Sequence, residues 1–289
     1  MTDHHSEHHA DNARPRPTRK GLYVLPSLFT AANIAAGYFA ISQAILGTIG
    51  DPWHFDYAAK AIGFAILFDG LDGRIARLTN TTSAFGRELD SLADVITFGI
   101  APAILAWLWG FRSLPFMDDS DLRSKVIQLG AIATFVFLMA GAARLARFNI
   151  QTNPQPSNPG RPGKKYFVGM PIPAGAGVVA ALVHYMKGNP LQEWWLSVGW
   201  AALVFLLAFL MVSTWRFFSF KELNLGKPQN FRWIIVIGGS IGLLWFFSRQ
   251  VLILIALVYT LAGIVARLSF FLRRPPMPPP PPHDEASHA

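Results

Sequence analysis

Eight apolar runs punctuate this chain, at residues 25–49, 55–78, 86–111, 126–146, 168–186, 194–214, 233–247 and 251–271. About 20 consecutive apolar residues wound as a helix cross the hydrocarbon of a bilayer, so runs of this length and number exclude an ordinary soluble domain. Half of the 289 residues are apolar and the mean hydropathy is +0.33. The expected fold class is all-α: a polytopic transmembrane helix bundle of about eight spans. Small residues recur inside the runs, among them Ala31, Ala32, Ala35, Ala36 and Gly37 in the first, and Gly175, Ala176 and Gly177 in the fifth. They allow the close backbone approach by which helices associate in lipid. Cysteine is absent, which excludes disulfides, Fe–S clusters and thiolate metal sites.

The formal charge of +8 would suggest nucleic acid as the partner of a soluble protein. Here the basic residues gather in alternate connections, at 74–87, 144–165 and 216–232, and in both tails. The intervening connections carry few, or balance them with Asp118, Asp119 and Asp121. By the positive-inside rule both termini are cytoplasmic. Residues 1–24 read as a polar tail with an HHSEHH cluster, residues 25–271 as the membrane domain, and residues 272–289 as a proline-rich tail. The first apolar run is too long for a signal peptide and lacks a small-residue cleavage pattern.

Residues 69–94, DGLDGRIARLTNTTSAFGRELDSLAD, are acidic where the flanks are apolar. Asp69 and Asp72 lie three apart and share a helical face with Gly73, Ala76 and Arg77, while Gly86, Asp90 and Asp94 repeat at intervals of four. Two neighbouring helices joined through the polar turn at 79–83 bring the four carboxylates into one small volume. Each acid at mid-helix depth costs roughly 2.5–3.5 kcal/mol on an insertion scale, so the cluster needs compensation. Oxygen ligands without Cys or His point to Mg²⁺ or Mn²⁺. The alternative is an Asp–Arg network that only holds two helices together. A metal cluster beside Arg77 suits a diphosphate substrate, and Gly73 and Gly86 let a phosphate or nucleotide lie against the backbone.

The pattern Asp69-x2-Asp72-Gly73-x2-Ala76-Arg77-x8-Gly86-x3-Asp90-x3-Asp94 resembles the complete signature of the CDP-alcohol phosphatidyltransferase family. That resemblance implies a homodimeric membrane enzyme in which Asp69, Asp72, Asp90 and Asp94 hold two divalent ions against the diphosphate of CDP-diacylglycerol. It also implies that Asp94 takes the proton of the incoming hydroxyl and that CMP leaves. Gly73, Arg77, Ser83, Gly86 and Thr30 then fall on the CDP-diacylglycerol side of the site.

Further segments are similar to bacterial phosphatidylserine synthases of the membrane-embedded type: LPSLFTAANIAAGYFAI at 25–41, RLARFN at 144–149, KKYFVGMPIPAGAG at 164–177 and SFK at 219–221. Ser27 stands where that group usually has Asn. Serine as acceptor requires a fixed cation for its carboxylate, and Arg144, Arg147, Lys164 and Lys165 could supply it, with Asn149 as a neutral partner. The implied place is the cytoplasmic face of a bacterial inner membrane. Other alcohols remain open as acceptors (glycerol 3-phosphate, inositol phosphate, choline), and a divalent-cation transporter is the reading without catalysis.

Overall fold

A computed structural model describes residues 24–79, 84–115, 120–150, 157, 166–219 and 232–272. Of the expected tails at 1–24 and 272–289, all but Val24 and Leu272 lie outside the described residues, and these two are the first residue of α1 and the last of α8. Helix α1 (Val24–Leu46) turns through residues 47–52 into α2 (Trp53–Thr79), and four residues of sequence separate α2 from α3 (Ala84–Asp94). Connections this short join antiparallel neighbours. α2 therefore runs against both α1 and α3, and α1 runs parallel to α3.

The rod that begins as α3 continues through a π-helical stretch (Val95–Ile100), α4 (Ala101–Trp107) and a second π-helical stretch (Leu108–Arg112). Pro102 sits in the first turn of α4. A proline has no N–H and crowds the carbonyl four residues earlier, and the wider winding just before it relieves both. α5 (Ser120–Ile150), α6 (Ile172–Tyr185), α7 (Trp194–Val212) and α8 (Arg232–Leu272) complete the helices.

The core is built from small side chains where helices cross. Ala40 and Ala44 of α1 and Ala58, Ile62 and Ala65 of α2 are completely buried, and Phe55 lies against Gly47 at the turn between the two helices. Larger groups fill the middle: Phe98, Trp109, Phe111, Phe137 and Leu207 are buried among the third rod, α5 and α7. Three polar groups of this layer are paired. Trp109 Nε1 donates to the Asn189 carbonyl (2.9 Å), Trp200 Nε1 to that of Ala106 (3.0 Å), and Ser197 Oγ to that of Gly110 (2.7 Å). A polar knot ties α2, α6 and α8. Asp56 pairs with His184 Nδ1 through one oxygen and with Lys60 through the other (2.7 Å), and His184 Nε2 bonds Ser248 Oγ (2.9 Å).

Among the described residues, five helices are long and apolar enough to cross a membrane: Leu28–Leu46, Phe85–Arg112, Ser120–Ile150, Trp194–Val212 and Phe246–Leu272. Many large apolar side chains face outward, including Leu254, Val258, Leu261, Val265 and Leu268 along α8. Three of the eight expected runs differ from these five. α2 carries Asp56, Lys60 and Asp69 along its length, and α6 has only 14 residues, about 21 Å of helix. The runs at 233–247 and 251–271 form one 41-residue helix, broken only by the non-helical Phe247 (φ −126°, ψ 30°). The connection expected at 248–250 is helical.

One feature departs from an all-α reading. β1 (Tyr166–Val168) and β2 (Arg216–Phe218) pair antiparallel, with Phe167 opposite Phe217. The ribbon docks on the end of α7 through Gly169, whose N–H donates to the Trp215 carbonyl (2.7 Å), and through Met170, whose N–H donates to that of Leu210 (2.9 Å). Gly169 has φ +72°, and a Cβ there would stand 2.6 Å from the Met211 carbonyl oxygen and 2.7 Å from that of Ser213. Only glycine meets both demands.

Candidate active site

The α2–α3 hairpin sets the centre. Asp69 lies ten residues before the end of α2 and Asp94 ten after the start of α3, so an antiparallel pair places them at the same depth. Asp90, one turn before Asp94, joins them, and carboxylate oxygens of Asp69, Asp90 and Asp94 lie within 4.8 Å of one another. All three residues are half-buried. Charges at about 4 Å repel by roughly 4 kcal/mol per pair at an effective dielectric of 20, a cost that a cation between them reverses. Asp94 Oδ1 is buried and has no hydrogen-bond partner among the described residues. An all-carboxylate donor set with a coordination position to spare fits a hard divalent cation.

Asp72, Gly73 and Arg77 occupy the next turns of α2; their side chains lie outside the described ones. Ser83, between α2 and α3 in the sequence, is outside the described residues, as are Lys164 and Lys165. Gly86 lies in the first turn of α3, one turn before Asp90.

The α1 wall of the site is polar at two successive turns. Thr30 and Asn33 lie three apart on one helical face, 4% and 1% exposed. Thr97 Oγ1, in the π-helical stretch after Asp94, donates to the Asn33 carbonyl (2.9 Å). A Cβ on Gly37 would lie 2.5 Å from that same hydroxyl, so the missing side chain lets α1 and the third rod touch here. Both amide atoms of the Asn33 side chain are buried with no hydrogen-bond partner among the described residues. Asn33 is not among the residues the motif picks out; its signal is an amide one turn from Thr30 inside an apolar span.

The far wall comes from α5. Arg144 is 7% exposed and lies within electrostatic range of Asp94, Arg147 and Tyr259. One Nη of Arg144 reaches the Gly169 carbonyl at 3.5 Å, and its Nε has no partner among the described residues. Arg147 is engaged elsewhere. It donates to the carbonyls of Val212 (2.9 Å) and Met211 (3.5 Å), where α7 leaves its last carbonyls open. Asn149 Nδ2 donates to Ser91 Oγ (3.0 Å) and ties the end of α5 to the helix that carries Asp90 and Asp94. The structure thus brings Asp69, Asp90 and Asp94 together with Arg144 in electrostatic range of Asp94, buries Thr30 on α1, and ties Arg147 and Asn149 to the ends of α7 and α3. Tyr259, whose hydroxyl donates to the Phe218 carbonyl (3.2 Å), brings α8 to Arg144. No motif in the sequence marks it.

Comparison with known proteins places the chain in a family. The family model described as CDP-alcohol phosphatidyltransferase matches residues 23–215, from α1 to the end of α7. A protein of Helicobacter pylori named CDP-diacylglycerol–serine O-phosphatidyltransferase is 35% identical over 250 residues, covering 84% of this chain and 91% of that one. Proteins of the same name from Bacillus subtilis (31% over 210 residues; 72% of this chain, 98% of that one) and Saccharomyces cerevisiae (35% over 159 residues; 55% and 52%) are also similar. The matched region contains the whole of the acidic hairpin, α1 with Thr30 and Asn33, and α5 with Arg144, so the chain belongs to the CDP-alcohol phosphatidyltransferase family.

Proposed function

We propose that this protein transfers the phosphatidyl group of CDP-diacylglycerol to the hydroxyl of L-serine, giving phosphatidylserine and CMP. The observation that carries the reading is the meeting of Asp69, Asp90 and Asp94 within 4.8 Å beside a buried arginine, in a chain whose relatives bear that activity in their names. Asp69, Asp72, Asp90 and Asp94 would hold two Mg²⁺ or Mn²⁺ ions, which supply charge neutralisation at the diphosphate.

The chain's own residues do the rest. Gly73, Arg77, Ser83, Gly86 and Thr30 hold the nucleotide and diphosphate. Asp94 accepts the proton of the serine hydroxyl as its oxygen bonds to the phosphatidyl phosphorus, and the bond from that phosphorus to the CMP oxygen breaks. Arg144 receives the serine carboxylate, because it is buried, near Asp94, and has guanidinium capacity left over. Lys164 and Lys165 remain candidates for the same carboxylate. Arg147 and Asn149 support it by fixing the ends of α7 and α5.

The site faces the cytoplasm of a bacterial inner membrane in a bundle of about eight passes, with both termini cytoplasmic and the protein a homodimer. The membrane domain covers residues 25–271, between tails at 1–24 and 272–289. An α8 of 41 residues would be about 60 Å long if straight, which exceeds one bilayer, and the break at Phe247 is where it divides into two passes. The test is CMP release by the purified protein from CDP-diacylglycerol with serine, glycerol 3-phosphate, inositol phosphate or choline, each with Mg²⁺, Mn²⁺ or chelator. Metal-dependent release with serine is the expected result. Release with another alcohol and none with serine reassigns the acceptor, and full activity in chelator removes the metal role.

A further inference from the structure

The buried amide of Asn33 is the feature of the site that the reaction above leaves unused. Its Nδ2 and Oδ1 both lack partners among the described residues in a side chain only 1% exposed. Leaving such a group unpaired costs free energy that a bound ligand would recover.

Register says what the amide faces. α1 runs parallel to the third rod, and the contact of Thr97 with Gly37 and the Asn33 carbonyl fixes their alignment. Helical side chains lean toward the N-terminus. One turn in that direction from Thr97 is Asp94, whose Oδ1 is itself buried and unpartnered among the described residues. By that register the amide of Asn33 and the unpartnered oxygen of Asp94 fall at one depth between α1 and the third rod, and Thr30 lies one turn beyond, at the depth of Asp90.

We propose that Asn33 is a substrate-binding residue of the acceptor pocket, its amide oxygen accepting a hydrogen bond from the acceptor's α-ammonium while the hydroxyl meets Asp94. The inference rests on the serine reading above. Its logic is electrostatic: the carboxylate of an amino-acid acceptor is repelled by three clustered aspartates and goes to Arg144 on the opposite wall. The ammonium is left to the α1 wall, where Asn33 offers a neutral acceptor that adds no further charge to the acidic cluster.

The test uses purified full-length protein, serine as substrate, and 3-hydroxypropanoate, which lacks the ammonium, as competitor. Asn33→Ala should raise the apparent KM for serine roughly ten- to hundredfold while that for CDP-diacylglycerol stays the same. Wild type should prefer serine to 3-hydroxypropanoate, and the variant should lose that preference, which a merely structural role of Asn33 would not produce. Asn33→Ser, smaller but still polar, should fall between the two, and thermal unfolding reports whether each variant is folded. An undiminished preference in a folded variant overturns the inference. If neither variant folds, the wild-type competition decides: equal inhibition constants for the two compounds overturn ammonium recognition, and a strong preference supports it. A wild-type protein inactive with serine but active with another alcohol would instead sink the functional reading itself.

Discussion

At the scale of single residues, the meeting of Asp69, Asp90 and Asp94 was legible from spacing, because residues at helical intervals on two helices joined by a short connection fall at one depth, while the side chain of Asp72 lies outside the described ones. Substituting Asn at Asp69 or Asp90 removes one oxygen ligand and one charge from a cluster 4.8 Å across, so metal-dependent CMP release should disappear while the protein still inserts. Membrane fractionation beside the assay checks both halves. Asp94→Asn should behave differently. CDP-diacylglycerol binding should persist and turnover should fall about 10²–10⁴-fold, the usual cost of a lost general base. Measuring binding and release on the same preparation separates a base from a ligand, since a mere ligand loses both together. Arg77→Lys should weaken the apparent affinity for CDP-diacylglycerol, because an ammonium cannot hold two diphosphate oxygens as a guanidinium fork does. The arginines of α5 were legible only as a group: composition cannot tell the buried Arg144 from Arg147, which is occupied with the end of α7. Asn33 was illegible because one amide in an apolar span makes no periodic pattern.

At the scale of elements, the apolar runs gave the helices to within a few residues, and the departures have local causes. The π-helical stretch after Asp94 follows from tertiary packing and Pro102, neither of which a hydropathy window registers. The three polar residues expected to form a turn at 248–250 continue α8 instead, with Ser248 held by His184. The ribbon was missed because three-residue strands joined across distant loops carry too little alternation to stand out. Helix contacts at the site should be intolerant of added bulk. In Gly37→Leu the Cβ alone would stand 2.5 Å from Thr97 Oγ1, and 3.0 Å from the Thr97 Cα that follows the backbone of Asp94. We expect a loss of about 1–3 kcal/mol from overpacking and a fall in turnover as the third rod moves from α1. Thermal unfolding together with CMP release tests this, and a stable, fully active variant would show that the α1 contact does not position Asp94.

At the scale of the whole molecule, the chain keeps its two polar centres on different parts of α2, the aspartates around Asp69 and the Asp56–Lys60–His184–Ser248 knot near its start. Breaking the knot with His184→Phe leaves Asp56 Oδ1 buried without its imidazole partner while Lys60 still holds the other oxygen, and should cost about 1–3 kcal/mol of stability, with the metal requirement of CMP release unaltered. A changed metal requirement would mean that the two centres are coupled. The ribbon has a consequence for biosynthesis. β1 begins 50 residues ahead of its partner β2, and Gly169 and Met170 donate to the carbonyls of Trp215 and Leu210, which are not yet made when β1 leaves the ribosome. Until α7 and β2 have been made, β1 has no strand to pair with, and Gly169, whose carbonyl Arg144 reaches, has no Trp215 carbonyl to bind. The aspartate hairpin is complete long before, so the cell makes this enzyme with its acids in place first and closes the wall that faces them last.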